Sequence, residues 1–183
     1  MAEVWFYHLT VRALEDAAPE ILERCVARGW RATVRLGSEA RAAALDDRLW
    51  TYDPESFLPH GGPGEGDPAT QPVYLTAGDE IPNDPQLLML ADGAQASIDE
   101  MARHQRTAIL FDGRDPEAVA RARDAWRAAT AAGLAAVYWA QTEDGRWTRR
   151  AASPAGGAAA ANAAPKAQVQ QDREADKGDA NQS

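Results

Sequence analysis

Residues 107–139 read TAILFDGRDPEAVARARDAWRAATAAGLAAVYW. Thr107-Ala108-Ile109-Leu110-Phe111 is a short apolar run of the length a buried strand needs. Asp115-Pro116-Glu117 then gives a helix start in the right order: a capping carboxylate, a proline where no N–H is required, and an early acid. The helix is predicted to run to Ala132, where Gly133 stops it, and Leu134-Ala135-Ala136-Val137-Tyr138-Trp139 reads as the next strand.

The same alternation runs through most of the chain. Glu3-Val4-Trp5-Phe6-Tyr7-His8-Leu9 reads as a buried strand. From Ala13 to Arg28, Leu14, Ala17 or Ala18, Ile21, Leu22, Cys25 and Val26 recur at helical spacing, with Pro19 near the front and Gly29 closing the pattern. Trp30 to Leu36 is predicted as a strand, and Ser38 as the cap of a helix over Glu39–Leu49. Val73–Thr76 and Leu87–Leu90 read as buried strands, and Ala94–Arg103 as a helix. Such alternation argues for an α/β layered fold with a mostly parallel sheet. We expect one domain over 1–150. The Ala/Gly/Gln/Asp-rich remainder, 151–183, has no aromatic side chains to bury and is expected to be disordered.

The formal net charge of −9 opposes direct phosphate-backbone binding as the main activity. A single cysteine, Cys25, forbids an internal disulfide and a Cys-based zinc cage, and its place on the apolar face of a helix suits a small buried hydrophobe. Neither a signal segment nor an apolar run long enough to span a bilayer is present, so a cytoplasmic protein without a membrane partner is expected. The first strand leads into Leu9-Thr10-Val11-Arg12, with no glycine to admit a phosphate, and no Gly-x-x-x-x-Gly-Lys loop occurs. His8, His60 and His104 are too scattered to form a metal site by spacing. No cofactor is expected.

Two segments carry signals beyond packing. Tyr52–Pro72 holds five prolines and no periodicity, so it is a long loop. Its entry, Leu49-Trp50-Thr51-Tyr52-Asp53-Pro54-Glu55-Ser56-Phe57-Leu58-Pro59-His60, spends apolar and aromatic residues where solvent usually selects polar ones, as loops do when they dock on the domain body or on a partner. His60 is read as hydrogen-bonding the loop to the body. In the late helix, Ala118, Ala122, Ala125, Ala129 and Ala132 form a small-residue stripe that lets it lie close to the sheet. On the adjoining face stand Val119, Arg123, Trp126, Arg127 and Thr130. That face is either a solvated basic surface with Trp126 half-buried at its edge, or a pocket pairing arginine with carboxylates beside an apolar wall.

The loop pattern, with Leu49-Trp50 followed by Glu55-Ser56-Phe57-Leu58-Pro59-His60 and Gly-rich Gly61–Gly66, resembles the chi subunit of bacterial DNA polymerase III. Arg123, Trp126 and Arg127 before Gly133 are similar to the Arg-x-x-aromatic-basic pattern of that family, with Val119 where a further basic residue is usual. The resemblance spans Val4 to Tyr138. It implies a Rossmann-like three-layer domain without nucleotide-binding or catalytic activity. It also implies an accessory subunit that links the clamp loader to single-stranded DNA-binding protein by holding that protein's acidic C-terminal tail. Further partners implied are clamp-loader subunits, psi among them, with nucleic acid met only indirectly. By the same resemblance Val119, Arg123, Trp126 and Arg127 are the peptide-binding residues, and Trp50, Phe57, Pro59 and His60 belong to the family's loop motif. The competing expectation is a small α/β nucleotide-binding protein or enzyme using the 52–72 loop as a lid, with His60 as acid or base.

Overall fold

The computed structural model describes residues 1–156. In chain order the elements are β1 (Glu3–Leu9), α1 (Leu14–Ala27), β2 (Ala32–Arg35), α2 (Glu39–Thr51), a 3-10 turn (Pro68–Thr70), β3 (Val73–Thr76), β4 (Leu87–Ala91), α3 (Ile98–Met101), β5 (Arg106–Asp112), α4 (Pro116–Ala131), β6 (Ala135–Gln141) and β7 (Trp147–Ser153). One seven-stranded sheet runs in the order β3-β2-β4-β5-β1-β6-β7. Every pairing is parallel except that of β6 with β7. The expected α/β architecture with a mostly parallel sheet is therefore present.

Two apolar layers flank the sheet. One holds Tyr7, Leu9, Val34, Leu75 and Met89 under Leu14, Leu22, Leu45 and Leu49 of α1 and α2. The other holds Val4, Phe6, Leu88, Leu90 and Phe111 under Ala122, Trp126 and Ala129 of α4. The alternation of β1 (Val4 and Phe6 to one layer, Tyr7 and Leu9 to the other) is what gives a central strand two dry faces. Asp115 caps α4 by accepting a hydrogen bond from the Glu117 amide at 2.9 Å. Ser38 caps α2 by accepting one from the Arg41 amide at 3.3 Å.

Two elements differ from expectation by more than a few residues. The helix read over Ala94–Arg103 is a single turn, Ile98–Met101, because Asp92 and Gly93 take positive φ and Ser97 caps the turn late. Pro19 lies inside α1 near its front, as expected, and is buried. The seventh strand, Trp147–Ser153, has no counterpart in the sequence reading and continues past residue 150. The expected disorder of the remaining tail falls, from 157 onward, outside the described residues.

Buried polar groups knit the sheet to its loops. Arg35 on β2 is almost fully buried and holds both carboxylate oxygens of Glu100 at 2.7 and 3.2 Å. The same guanidinium donates to the carbonyls of Asp79 and Gln95, fastening the segments on either side of β4. Asn83 accepts from Thr33 Oγ1 at 2.6 Å and donates to the carbonyls of Ala32 and Gln71.

Candidate functional site

The face of α4 is set by its small residues. Ala122 and Ala129 are buried and bring the helix close to the sheet. The large side chain that fills the space between them is Trp126, only 2% exposed, with its ring 5.5 Å from Phe6 and 6.2 Å from Tyr138. Thr130 is buried too, its hydroxyl donating back to the Trp126 carbonyl at 2.8 Å. The face that helical periodicity groups together is thus divided. Trp126 and Thr130 point into the core, Val119 and Arg123 sit half-buried at its border, and Arg127 is exposed with Asp124 at 3.1 Å. Arg121 turns toward Asp115 and Glu117 at the start of the helix, at 3.8 and 3.7 Å. A ligand arriving on α4 would meet Val119 and Arg123 directly and the indole only through them.

Arg123 makes no hydrogen bond or ion pair among the described residues, although part of its side chain is out of water. Its field is felt below. Burial pushes the Tyr138 hydroxyl up to about 12 against the opposing pull of Arg123. Burial also holds His8 below the ordinary histidine value, and the Arg123 charge lowers it further. His8 Nδ1 lies 2.7 Å from the Tyr138 hydroxyl, and its ring is stacked 5.1 Å from Phe111. A half-desolvated guanidinium without a local acid can take a carboxylate through two parallel hydrogen bonds.

The loop after α2 forms the second feature. Leu58 is buried, and His60 is pinned beneath it with Nδ1 at 2.7 Å from the Leu58 carbonyl. His60 Nε2 is 3.1 Å from Asp46, close enough to pair on protonation though not aligned for a hydrogen bond. Tyr52 and Ser56 both donate to Glu23 on α1. Gly61 then runs beside β3, its amide donating to the Val73 carbonyl and its own carbonyl accepting from the Leu75 amide. The expected docking of the loop on the body is carried by the Glu23 and Gly61 hydrogen bonds, whereas His60, read as hydrogen-bonding the loop to the body, makes its hydrogen bond to Leu58 within the loop. Trp50 and Phe57 take no part in them. They are 59% and 72% exposed, with rings 6.1 Å apart, and Trp50 rests on the His60 ring at 4.7 Å. They form an exposed apolar patch on a loop that is itself well fastened.

The turn between β1 and α1 shows a feature that sequence reading missed. Gln141 Oε1, at the end of β6, accepts hydrogen bonds from three successive amides, Thr10, Val11 and Arg12, at 3.0, 2.9 and 3.0 Å. Such a nest at the end of a first strand is where α/β nucleotide-binding domains seat a phosphate. Here a side-chain oxygen of the same chain fills it. No sequence motif marks a long-range bond of this kind.

Among the described residues, no group of three or more His, Cys, Asp or Glu side chains is placed to hold a metal ion. No described helix is long and apolar enough to cross a membrane.

The fold and its surfaces define a doubly wound α/β domain with a self-filled phosphate corner, a half-buried unpaired arginine and an exposed aromatic pair. Over residues 1–137 the sequence matches the family described as DNA polymerase III chi subunit, HolC, and the chain belongs to that family. It is 27% identical over 90 residues to the probable DNA polymerase III subunit chi of Rickettsia prowazekii (strain Madrid E), covering 49% of this chain and 54% of that protein. It is 31% identical over 74 residues to the DNA polymerase III subunit chi of Haemophilus influenzae, covering 39% and 51%. The chain thus spans about half the length of the curated relatives it matches.

Proposed function

We propose that this protein is a non-catalytic accessory subunit of the replicative polymerase, acting as a tether in DNA replication. It holds the acidic C-terminal tail of single-stranded DNA-binding protein and so links that protein to the clamp loader. The observation that carries this reading is Arg123, half-buried on α4 and without an acidic partner among the described residues, beside apolar Val119. Arg123 takes the terminal carboxylate of the peptide. Exposed Arg127 exchanges Asp124 for an acid of the tail, Val119 meets the last apolar side chain, and Trp126 fixes the helix from beneath. DNA is met through the coating protein, and the work is done in the cytoplasm. The Trp50–Phe57 patch, far along the chain from α4, supplies the surface for a second subunit, psi in the family this chain resembles.

One charge-assisted contact beside one apolar side chain gives micromolar affinity, about −8 kcal/mol. Several tails presented together raise it, and salt lowers it because the charges are screened over about 10 Å at 0.1 M. The test is fluorescence anisotropy of a labelled acidic peptide ending in Asp-Ile-Pro-Phe, titrated with the protein and with its Arg123→Ala variant. Saturable binding that the variant and salt both weaken is expected. No binding at high micromolar concentrations of folded protein would refute the tether.

A further inference from the structure

On the sheet face opposite α4, α1 packs beside α2 and over β2 and β5. Beside it lies a cleft of about 190 Å³ lined by Trp5, Trp30, Trp139, Trp147, Arg28 and Arg106 among others. Four of the chain's six tryptophans therefore border one small space, and all four are partly exposed. Arg106, held by Glu3 at 2.8 Å, has its guanidinium carbon 3.6 Å from the Trp5 ring centre and 5.4 Å from that of Trp30. Trp139 continues the stack at 5.3 Å from Trp5. The Nε1 groups of Trp5, Trp139 and Trp147 are buried without an acceptor. Phenylalanine would fill the same space without that cost. Indole rings at these positions pack on the core and also offer broad, electron-rich faces to the cleft.

Charge points the same way. In a chain of net charge −9, Arg28 stands at the mouth of this cleft, 5.8 Å from the Trp30 ring centre and without an acidic partner among the described residues. Rows of indole faces interleaved with guanidinium groups suit stacked bases with a phosphate alongside. The volume is below that of a drug-sized pocket and fits one ring system.

We propose that this cleft takes a single unpaired nucleotide, its base stacked on the exposed indole faces and its phosphate on Arg28. The contact is weak and additional to the peptide tether. The source of the nucleotide is either a free mononucleotide or one unit of a single strand.

The test uses the full chain with ¹⁵N-labelled tryptophan, whose indole signals separate this cleft from Trp50 and Trp126. dTMP and short oligo(dT) are titrated separately at low salt. Saturable shifts confined to Trp5, Trp30, Trp139 and Trp147 are expected, weakened about tenfold in Arg28→Glu. Arg28 is exposed, so that variant keeps its fold, and its affinity for the acidic peptide should not change. This keeps the proposal separate from the tether. Shifts with both probes would mean that one nucleotide suffices, and shifts with oligo(dT) alone that a strand is required. No saturable shift in the cleft, an equal response in Arg28→Glu, or the same four signals moved by the acidic peptide would overturn it.

Discussion

The ring of Trp126 stands 5.5 Å from that of Phe6, tilted by 59°, so the one aromatic residue of α4 is anchored to the interior strand β1. Trp126→Ala should therefore cost about 3–5 kcal/mol of stability, as truncation of a buried aromatic does. Arg123→Ala should change stability by less than about 0.5 kcal/mol and weaken the acidic peptide about tenfold or more, the loss of one charge-assisted contact. Denaturant unfolding and peptide anisotropy on the same two variants separate scaffold from contact. An Arg123→Ala protein that unfolds early would assign Arg123 to the scaffold instead.

Arg35 and Glu100 are the buried pair whose rupture should be most costly. Removing Glu100 leaves a nearly fully buried guanidinium with two carbonyls and only the exposed Asp79 carboxylate at 3.8 Å, so Glu100→Ala should destabilise by about 3 kcal/mol. Hydrogen bonding from Arg35 holds the Glu100 carboxyl below the ordinary carboxylate value, outweighing its partial burial. Such a group stabilises the fold above its unfolded pKa, and that contribution is lost as pH falls through the lower folded value. The loss in wild type should thus appear below about pH 4.5 and be missing from Glu100→Gln, as read by unfolding midpoints across the acid range.

His8 acts in a higher window. Burial and the Arg123 charge lower its pKa from the ordinary 6.5, while Asp112 and the Gly113 backbone oppose them. The unfolded chain accepts the proton first, so stability is complete above the ordinary value and declines as pH falls from there toward the folded one. Wild type should lose more stability than His8→Asn between about pH 7 and 5. Equal slopes in urea titrations at these two pH values would contradict this assignment.

Trp50 and Phe57 should be thermodynamically idle in the isolated protein. Replacing both with serine is expected to change stability by no more than about 0.5 kcal/mol per site. Leu58→Ala, one residue away but buried, should cost about 2–5 kcal/mol. If the patch is a subunit surface, the double serine variant folds normally and fails to co-purify with the clamp loader. A large drop in its melting temperature would show that the two rings stabilise their own loop.

Much of this was legible because the signals were local. The Asp115-Pro116-Glu117 start, the Ser38 cap and the continuous apolar runs of β1, β4 and β5 each specify their element within a few residues. Strand β7 was not, because an edge strand buries little. Its Thr148, Arg149 and Arg150 read as polar chain, and its inward side is carried by Trp147, Ala151 and Ser153. Trp126 lies deeper than a half-buried edge position for a related reason. Helical periodicity gives angles around an axis, but the width of the buried stripe depends on the concavity that Phe6 and Tyr138 offer. The exposure of Trp50 and Phe57 could not be read either, since the contacts that fasten their loop run through Glu23, Asp46 and β3, all distant in sequence or on other elements.

The three amides that converge on Gln141 have one further consequence. Domains of this architecture that seat a nucleotide phosphate on their first turn change shape, or at least firmness, with its supply. This chain closes the same turn with an oxygen carried 129 to 131 residues away on its own backbone. The ordering of that corner is thus built into the chain itself and needs no bound phosphate.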